Sequence, residues 1–262
     1  MDTKVSLLIS TYNWEDALRL CLLSASIQTV SPDEIVIADD GSREDTRKLI
    51  DDFRVVLKVP IVHIWQEDKG FRKTSILNKA IAQAKGDYII QIDGDVIMER
   101  HFIQDHIEMM DKGYFVCGSR TKLGPMVTKR LISDISLKLN VSEIKAGFIL
   151  NGFRSRLLRS FLAERYADHM RGCNLAFWRD DFISINGYNE DLQDWGHEDG
   201  ELVYRLHFAG VGKKALKMGG IVYHLWHKEA SRHNEGQHLH ALEVVKENHV
   251  KWCDNGIDKY LR

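Results

Sequence analysis

Asp93-Gly94-Asp95 sets two carboxylates on either side of a residue with no side chain, directly after the apolar run 88–92. Paired acids at that spacing can grip a hard divalent cation, which bridges two phosphates and offsets the charge on a departing diphosphate. An isolated Asp-x-Asp is most often an ordinary turn, so its neighbours decide the matter. Three further polar clusters end β-branched runs in the same way. Thr11-Tyr12-Asn13 follows 5–10, Asp39-Asp40-Gly41-Ser42 follows 34–38, and Gln66-Glu67-Asp68 follows 60–65. Four such ends meeting at one crevice would handle something anionic through a metal.

Each cluster has a plain reading beside the chemical one. Asp39 and Asp40 read as helix-capping acids, or Asp40 accepts the imide N–H of uracil, where an unmatched buried polar group costs about 1–3 kcal/mol. Gly70-Phe71-Arg72-Lys73 reads as a solvated loop, or as a basic pair that meets a diphosphate at a helix N-terminus. Trp195-Gly196-His197-Glu198-Asp199 either complements a helix dipole or builds a sugar site. In the second case the indole covers an apolar sugar face, Glu198 holds hydroxyls and Asp199 removes a proton. His224, His227, His233, His238 and His240 crowd the end of the chain. No Cys cluster or His-Glu-x-x-His helix accompanies them, so most read as solvated; His224, closing a short strand, is the one that suits the Asp95 metal.

Positioning these residues takes strands and helices in alternation, which predicts a parallel sheet with ligands beyond its carboxyl ends. Asn13 reads as N-cap of a first helix with Ala17, Leu20, Cys21, Ser24 and Ile27 on its inner stripe. Ser42 reads as cap of a second, with Glu44 and Asp45 in its first turn. A third, bearing Leu77, Ala80, Ile81 and Ala84 on one face, is expected to stop at Gly86. Residues 173–178 read as a strand, followed by a short helix from Arg179 to Asn186-Gly187, a helix after Asp199 ending at Gly210, a strand at 221–224 and a surface helix over 237–252. The division expected is 1–119 as a doubly wound nucleotide-binding half, 120–170 as a helical basic insertion, and 171–262 as the part of the same domain that carries Glu198 and Asp199.

The 262 residues, 44% hydrophobic, suffice for one large α/β domain, and a net charge of −2 argues against a nucleic-acid partner. Cys21, Cys117, Cys173 and Cys253 are scattered, which reads as reduced, buried thiols in a cytoplasmic protein. No signal peptide is expected before Val5, and no run reaches the roughly 20 apolar residues of a membrane span. The basic stretch 122–166 admits two readings: a solvated helical lobe, or a peripheral contact with the inner face of the cytoplasmic membrane.

Together these motifs resemble the family 2 type of GT-A glycosyltransferases over about 4–120 and 170–228. The likeness is carried by residues 5–13, 35–42, 66–72, 86–95, Gly172-Cys173-Asn174 and Trp195-Gly196-His197-Glu198-Asp199. It extends to bacterial chondroitin polymerase domains, β-1,4-galactosyltransferases and polypeptide N-acetylgalactosaminyltransferases. The resemblance implies a GT-A, Rossmann-like sheet flanked by helices and an inverting transferase that uses a UDP-sugar donor with Mn2+ or Mg2+. A saccharide or lipid-linked saccharide would be the acceptor, in bacterial surface polysaccharide synthesis. The resemblance also implies a nucleotide-sugar-binding role for 1–119 and an acceptor-binding and catalytic-base role for 171–262. It implies that Thr11, Tyr12, Asn13 and Asp40 contact the nucleotide, that Asp93 and Gly94 face ribose or sugar, and that Asp95 and His224 ligate the metal. Arg72 would lie near the donor, Asn174 and Trp195 would shape the sugar pocket, Asp199 would be the base and Glu198 would bind hydroxyls. His197 departs from the family, whose members usually have a second glycine there, so donor and acceptor cannot be copied from a relative. Two other readings stand beside this one: a nucleotidyltransferase that makes sugar nucleotides, and a non-catalytic sugar-nucleotide-binding component of an assembly complex.

Overall fold

The computed structural model describes residues 3–144, 151–158, 172–194, 196–228 and 235–261. The organisation starts from four β-branched runs that cannot stay in water. Strands β1 (Val5–Thr11), β2 (Glu34–Asp39), β3 (Ile61–Trp65) and β4 (Tyr88–Asp93) pair in parallel, with β1 and β2 at the centre of the run. Residues Leu7, Ile9, Ile35, Ile37, Ile90 and Ile92 point to one face and Leu8, Val36 and Ile89 to the other, so both faces need cover. Helices α1 (Glu15–Ser26) and α2 (Glu44–Val56) supply it on one side, and α3 (Lys73–Gln83) on the other.

Two more strands, β6 (Tyr114–Gly118) and β9 (Gly212–Leu216), and the reversed β8 (Leu175–Trp178) complete a seven-stranded sheet in the order β3-β2-β1-β4-β8-β6-β9. Only β8 runs against the others. Short strands β5 (Val96–Met98), β7 (Arg120–Lys122) and β10 (Val222–His224) make a second sheet with β10 in the middle. The helices still to be placed are α4 (Phe102–Met109), α5 (Pro125–Ser133), α6 (Arg179–Ser184), α7 (Glu198–Phe208) and α8 (Glu235–Asn248). This is the α/β, mostly parallel architecture the sequence implies, and Arg120–Lys122 enters it as a strand rather than a helix.

Five local expectations need correction. Ile27 is not on the inner stripe of α1: the helix ends at Ser26 and Ile27 is exposed. Asn13 does not cap α1: it sits at φ 45°, its amide donates to Ser42 Oγ and its side-chain oxygen accepts from the Arg43 amide. Ser42 is therefore spent on Asn13, and α2 starts after Arg43 with no side-chain cap. Helix α3 ends at Gln83, and Gly86 serves a different need, since a Cβ there would lie 2.4 Å from Ser6 Oγ. Cys173 and Asn174 form a 3-10 turn ahead of β8 rather than its first residues. The four cysteines are free and buried, and no described helix is long and apolar enough to cross a membrane.

Candidate active site

The carboxyl ends of β1, β2 and β4 open onto a cleft of about 390 Å³. Thr11, Tyr12, Asp40, Asp93, Gly94 and Asp95 line it, whereas Gln66, Glu67 and Asp68 at the end of β3 do not, so three of the four expected strand ends meet there. Register explains the meeting: Ser10 of β1 lies opposite Asp93 of β4, and Thr11 opposite Asp39 of β2. Asn13 stands just outside, bound to the start of α2.

The small sheet delivers the far wall. His224 pairs with Val96, the residue after Asp95, and the Leu225 amide donates to the Asp95 carbonyl. His227 then folds back, so Asp95 Oδ2 lies 3.5 Å from His224 Nε2 and 3.2 Å from His227 Nε2. Each ring gives its Nδ1 proton to a backbone carbonyl, of Leu225 at 2.8 Å and of Lys228 at 2.9 Å. That tautomer aims a lone pair from each Nε2 at a carboxylate, an arrangement that wants a cation between them. The ligand atoms lie within 4.8 Å of one another, and Asp95 Oδ1 is buried with no hydrogen-bond partner. The residues therefore fit a divalent ion. His227, which the sequence reads as solvated, belongs to this group. Its signal was the three-residue spacing from His224. Burial, reinforced by Arg120, lowers the His224 pKa despite Asp95, while the hydrogen bond to Asp95 raises that of His227.

Across the floor, Lys73 Nζ and Ser10 Oγ both donate to Asp93 Oδ1, at 2.7 Å and 2.8 Å. Burial alone would raise the Asp93 pKa, but these partners outweigh it and the net shift is downward. Burial likewise opposes the Lys73 charge, yet Asp93, Asp199 and Glu198 hold its pKa above that of an ordinary lysine. Lys73, and not Arg72, is thus the cation of this loop that lines the cleft. Arg72 turns its guanidinium to the Glu67 carbonyl, and its backbone amide donates to Asp40 Oδ2 at 2.7 Å. Gln66 supports Asp40 from the other side, donating to Oδ1 at 2.5 Å while its own oxygen accepts from Lys79. Burial raises the Asp40 pKa against those hydrogen bonds.

Arg120, which sequence reasoning passed over, lines the same cleft. Its Nε is buried with no partner in a half-buried side chain, and a guanidinium nitrogen left without an acceptor beside three groups that fit a metal suits an anion. The signal was its place just after the apolar run of β6, a fifth strand end. Asn174 does not reach the cleft. It is fully buried, donates to the Ser119 and Gly220 carbonyls, and pairs its oxygen with His106, so it ties three segments together. Trp195 lies outside the described residues.

Glu198 and Asp199 open α7 and reach the cleft electrostatically through Lys73. Asp199 accepts from the Gly172 amide at 2.8 Å and the Tyr188 hydroxyl at 3.2 Å. Glu198 is buried, and the Gly196 amide donates to it at 3.3 Å. Burial, then Asp199, pushes the Glu198 carboxyl up to about 8, so it keeps a proton at neutral pH. Burial raises the Asp199 pKa too, but Lys73 and both of its hydrogen bonds favour the ion. Adjacent acids driven apart in this way suit different roles: a hydroxyl donor and a proton acceptor.

In the basic stretch, Arg154 chelates the fully buried Asp105 through Nε and Nη2, and Arg156 pairs with Glu108. These two cations serve α4. Residues 145–150 and 159–166 of that stretch lie outside the described ones.

The family model for glycosyl transferase family 2 matches residues 6–174, and that for the N-terminal domain of galactosyltransferase matches 155–228. Escherichia coli chondroitin synthase is 24% identical over 241 residues, 84% of this chain and 34% of that protein. Validoxylamine A glucosyltransferase of Streptomyces hygroscopicus subsp. limoneus is 26% identical over 221 residues, 79% of this chain and 48% of that protein. The chain thus spans about a third to a half of the length of these curated relatives. Among solved structures, the mannosyltransferase PcManGT from Pyrobaculum calidifontis, in complex with GDP-Man and Mn2+, superposes with a TM-score of 0.64 at 17% identity, covering 100% of this chain and 68% of that one. S. aureus TarS 1–349 in complex with UDP gives 0.62 at 14% identity, covering 98% of this chain and 69% of that one. At such identities the two structures share the fold.

Proposed function

This chain belongs to glycosyl transferase family 2, and on that premise we propose that it moves a hexose or N-acetylhexosamine from a UDP-sugar to a saccharide acceptor, inverting the anomeric carbon. The observation that carries the reading is the convergence of Asp95, His224 and His227 on one point of a cleft whose floor holds Lys73 and Asp93. Relatives named as polysaccharide synthases support a role in bacterial surface polysaccharide assembly, with a free or lipid-linked saccharide as acceptor on the cytoplasmic side.

Asp95, His224 and His227 would hold the ion, and two imidazoles with one carboxylate suit Mn2+ better than Mg2+, which favours oxygen ligands. The bound ion would supply Lewis-acid stabilisation to the leaving diphosphate. Arg120 adds a fixed guanidinium for the same phosphates. Asp40, braced by Gln66 and the Arg72 amide, offers its remaining lone pairs to the base. Tyr12, whose hydroxyl donates to Asp68 at 2.9 Å, closes the outer side. Protonated Glu198 donates to a sugar hydroxyl. Asp199 accepts the proton of the acceptor hydroxyl as its oxygen bonds to the anomeric carbon; the bond from that carbon to the phosphate oxygen breaks, and its electron pair leaves with UDP.

The test is a donor panel of UDP- and GDP-sugars scored by nucleotide release, with and without manganese. Asp95→Ala should abolish manganese-dependent UDP binding, while Asp199→Asn should keep it and lose transfer. Normal turnover by Asp199→Asn would refute the base assignment. Diphosphate release from a nucleoside triphosphate and a sugar phosphate would favour a nucleotidyltransferase instead.

A further inference from the structure

The Asp199 carboxylate is held on both oxygens by groups that are not among the residues lining the cleft. Oδ2 faces the Gly172 amide and Oδ1 the Tyr188 hydroxyl. The fit over Gly172 leaves no room for a side chain, because a Cβ there would lie 2.1 Å from Oδ1 and 2.3 Å from the carboxyl carbon. Behind both donors stands Gln91, fully buried in β4 two residues before Asp93. Its amide nitrogen donates one hydrogen to the Tyr188 oxygen at 2.8 Å and the other to the Gly172 carbonyl at 3.3 Å. Turning that amide over would set oxygen against oxygen at the carbonyl, so the network fixes its orientation. The cost is a Gln91 Oε1 left buried and unpaired, which a purely structural contact would have little reason to retain.

Tyr188 is itself clamped. Asn78 of α3 accepts from its amide at 2.9 Å and donates to its carbonyl at 2.8 Å. Buried Arg205 of α7, paired with Glu201, donates to the carbonyls of Ile185 and Gly187 at 2.7 Å each. The loop that presents the hydroxyl is therefore held at both ends.

We propose that Gly172, Tyr188 and Gln91 form a cradle that positions Asp199, with Gln91 fixing the base at a set distance from the metal-bearing end of the same strand. The proposal rests on Asp199 being the base. A base whose carboxylate is already oriented needs no reorganisation when the acceptor arrives. The charged groups facing Asp199 are Glu198 beside it on α7, Lys73 from α3 and Asp93 from β4; the Tyr188 hydroxyl and the Gly172 amide are its neutral donors.

Tyr188→Phe removes one oxygen and tests this directly. Release of UDP from UDP-glucose, UDP-galactose and their N-acetylamino counterparts with manganese should fall about tenfold or more in kcat, a part of the roughly 10²–10⁴-fold that a positioned proton acceptor contributes. The Kd for UDP with manganese should stay within a factor of two of wild type. The acid limb of the kcat–pH profile should move to higher pH, because the ionised base has lost a donor. Unchanged kcat, or a fall in kcat with the limb unmoved, would overturn the cradle. Should Tyr188→Phe fold poorly, Gln91→Met leaves the hydroxyl but removes its anchor, and the same three readouts decide in the same way. Asp199→Asn separates the two levels: turnover by that variant refutes the base, whereas loss of turnover beside an unaltered Tyr188→Phe refutes only the cradle.

Discussion

Lys73 Nζ lies 2.7 Å from Asp93 Oδ1, and both side chains are largely withdrawn from water, at 15% and 25% exposure. The lysine is thereby suspended between the donor-side acid and the Glu198–Asp199 pair. Replacing it with methionine would leave a poorly solvated carboxylate without its counter-charge. Urea unfolding of Lys73→Met should show a loss of about 1–3 kcal/mol, reduced from the fully buried range by the residual exposure. Adding Asp93→Asn should restore most of that loss without restoring transfer. Stability of Lys73→Met equal to wild type would show that the pair contributes nothing.

His227→Ala should weaken manganese binding at least about tenfold, and His224→Ala likewise, since each removes one of the three proposed ligands. Titration of free manganese, followed by its paramagnetic resonance signal, reads this without any turnover. Wild-type affinity in His227→Ala would return that histidine to the solvated surface where its sequence context first places it.

Arg120→Met should raise the Kd for UDP about 10- to 100-fold, the loss of one charge-assisted contact, and leave UMP within about threefold. Calorimetry with the two nucleotides in manganese measures the difference. Equal losses for both would mean that the guanidinium reads something other than the second phosphate.

Glu198 makes stability depend on pH in a predictable sense. Its carboxyl is raised from the ordinary 4.5 to about 8, so the native state keeps a proton that the unfolded chain releases. That contribution is complete below pH 4.5, declines as the pH climbs towards 8, and is gone above it. Glu198→Gln, which never ionises, should flatten this decline and melt on the order of a few degrees above wild type at pH 8–9. Identical melting curves at pH 5 and pH 9 for both proteins would contradict it.

Much of this site was legible because chain direction and strand register do the placing. Asp40, Asp93 and Asp95 end apolar runs, and parallel pairing must gather such ends on one rim. Their partners were harder to read. Lys73 lies next to Arg72 in sequence, and no pattern says which cation turns inward; the backbone at Arg72, just ahead of α3, makes that choice. Gly86 looks like a helix stop, but the space it gives is to Ser6, 80 residues away. Asn174 resembles a site residue by motif and is instead consumed by carbonyls from two distant segments and by His106. Gln91 and Tyr188 carry no local signal, and the Gly172 motif says nothing of its role, since the hydrogen bonds that join them to one another and to Asp199 span 11 to 97 residues. Packing of segments remote in sequence decides such partners, and periodicity has no access to it.

Strand β10 occupies the middle of the small sheet, bonded to β5 on one side and β7 on the other. Asp95 emerges early during synthesis and His224 only after more than a hundred further residues. If Asp95, His224 and His227 hold the ion as proposed, a nascent chain would complete the rim of the large sheet long before it could retain that ion. On the proposed site, ion retention would wait until β10 has paired between β5 and β7, and an unfinished polypeptide would lack the group proposed to steady the leaving diphosphate.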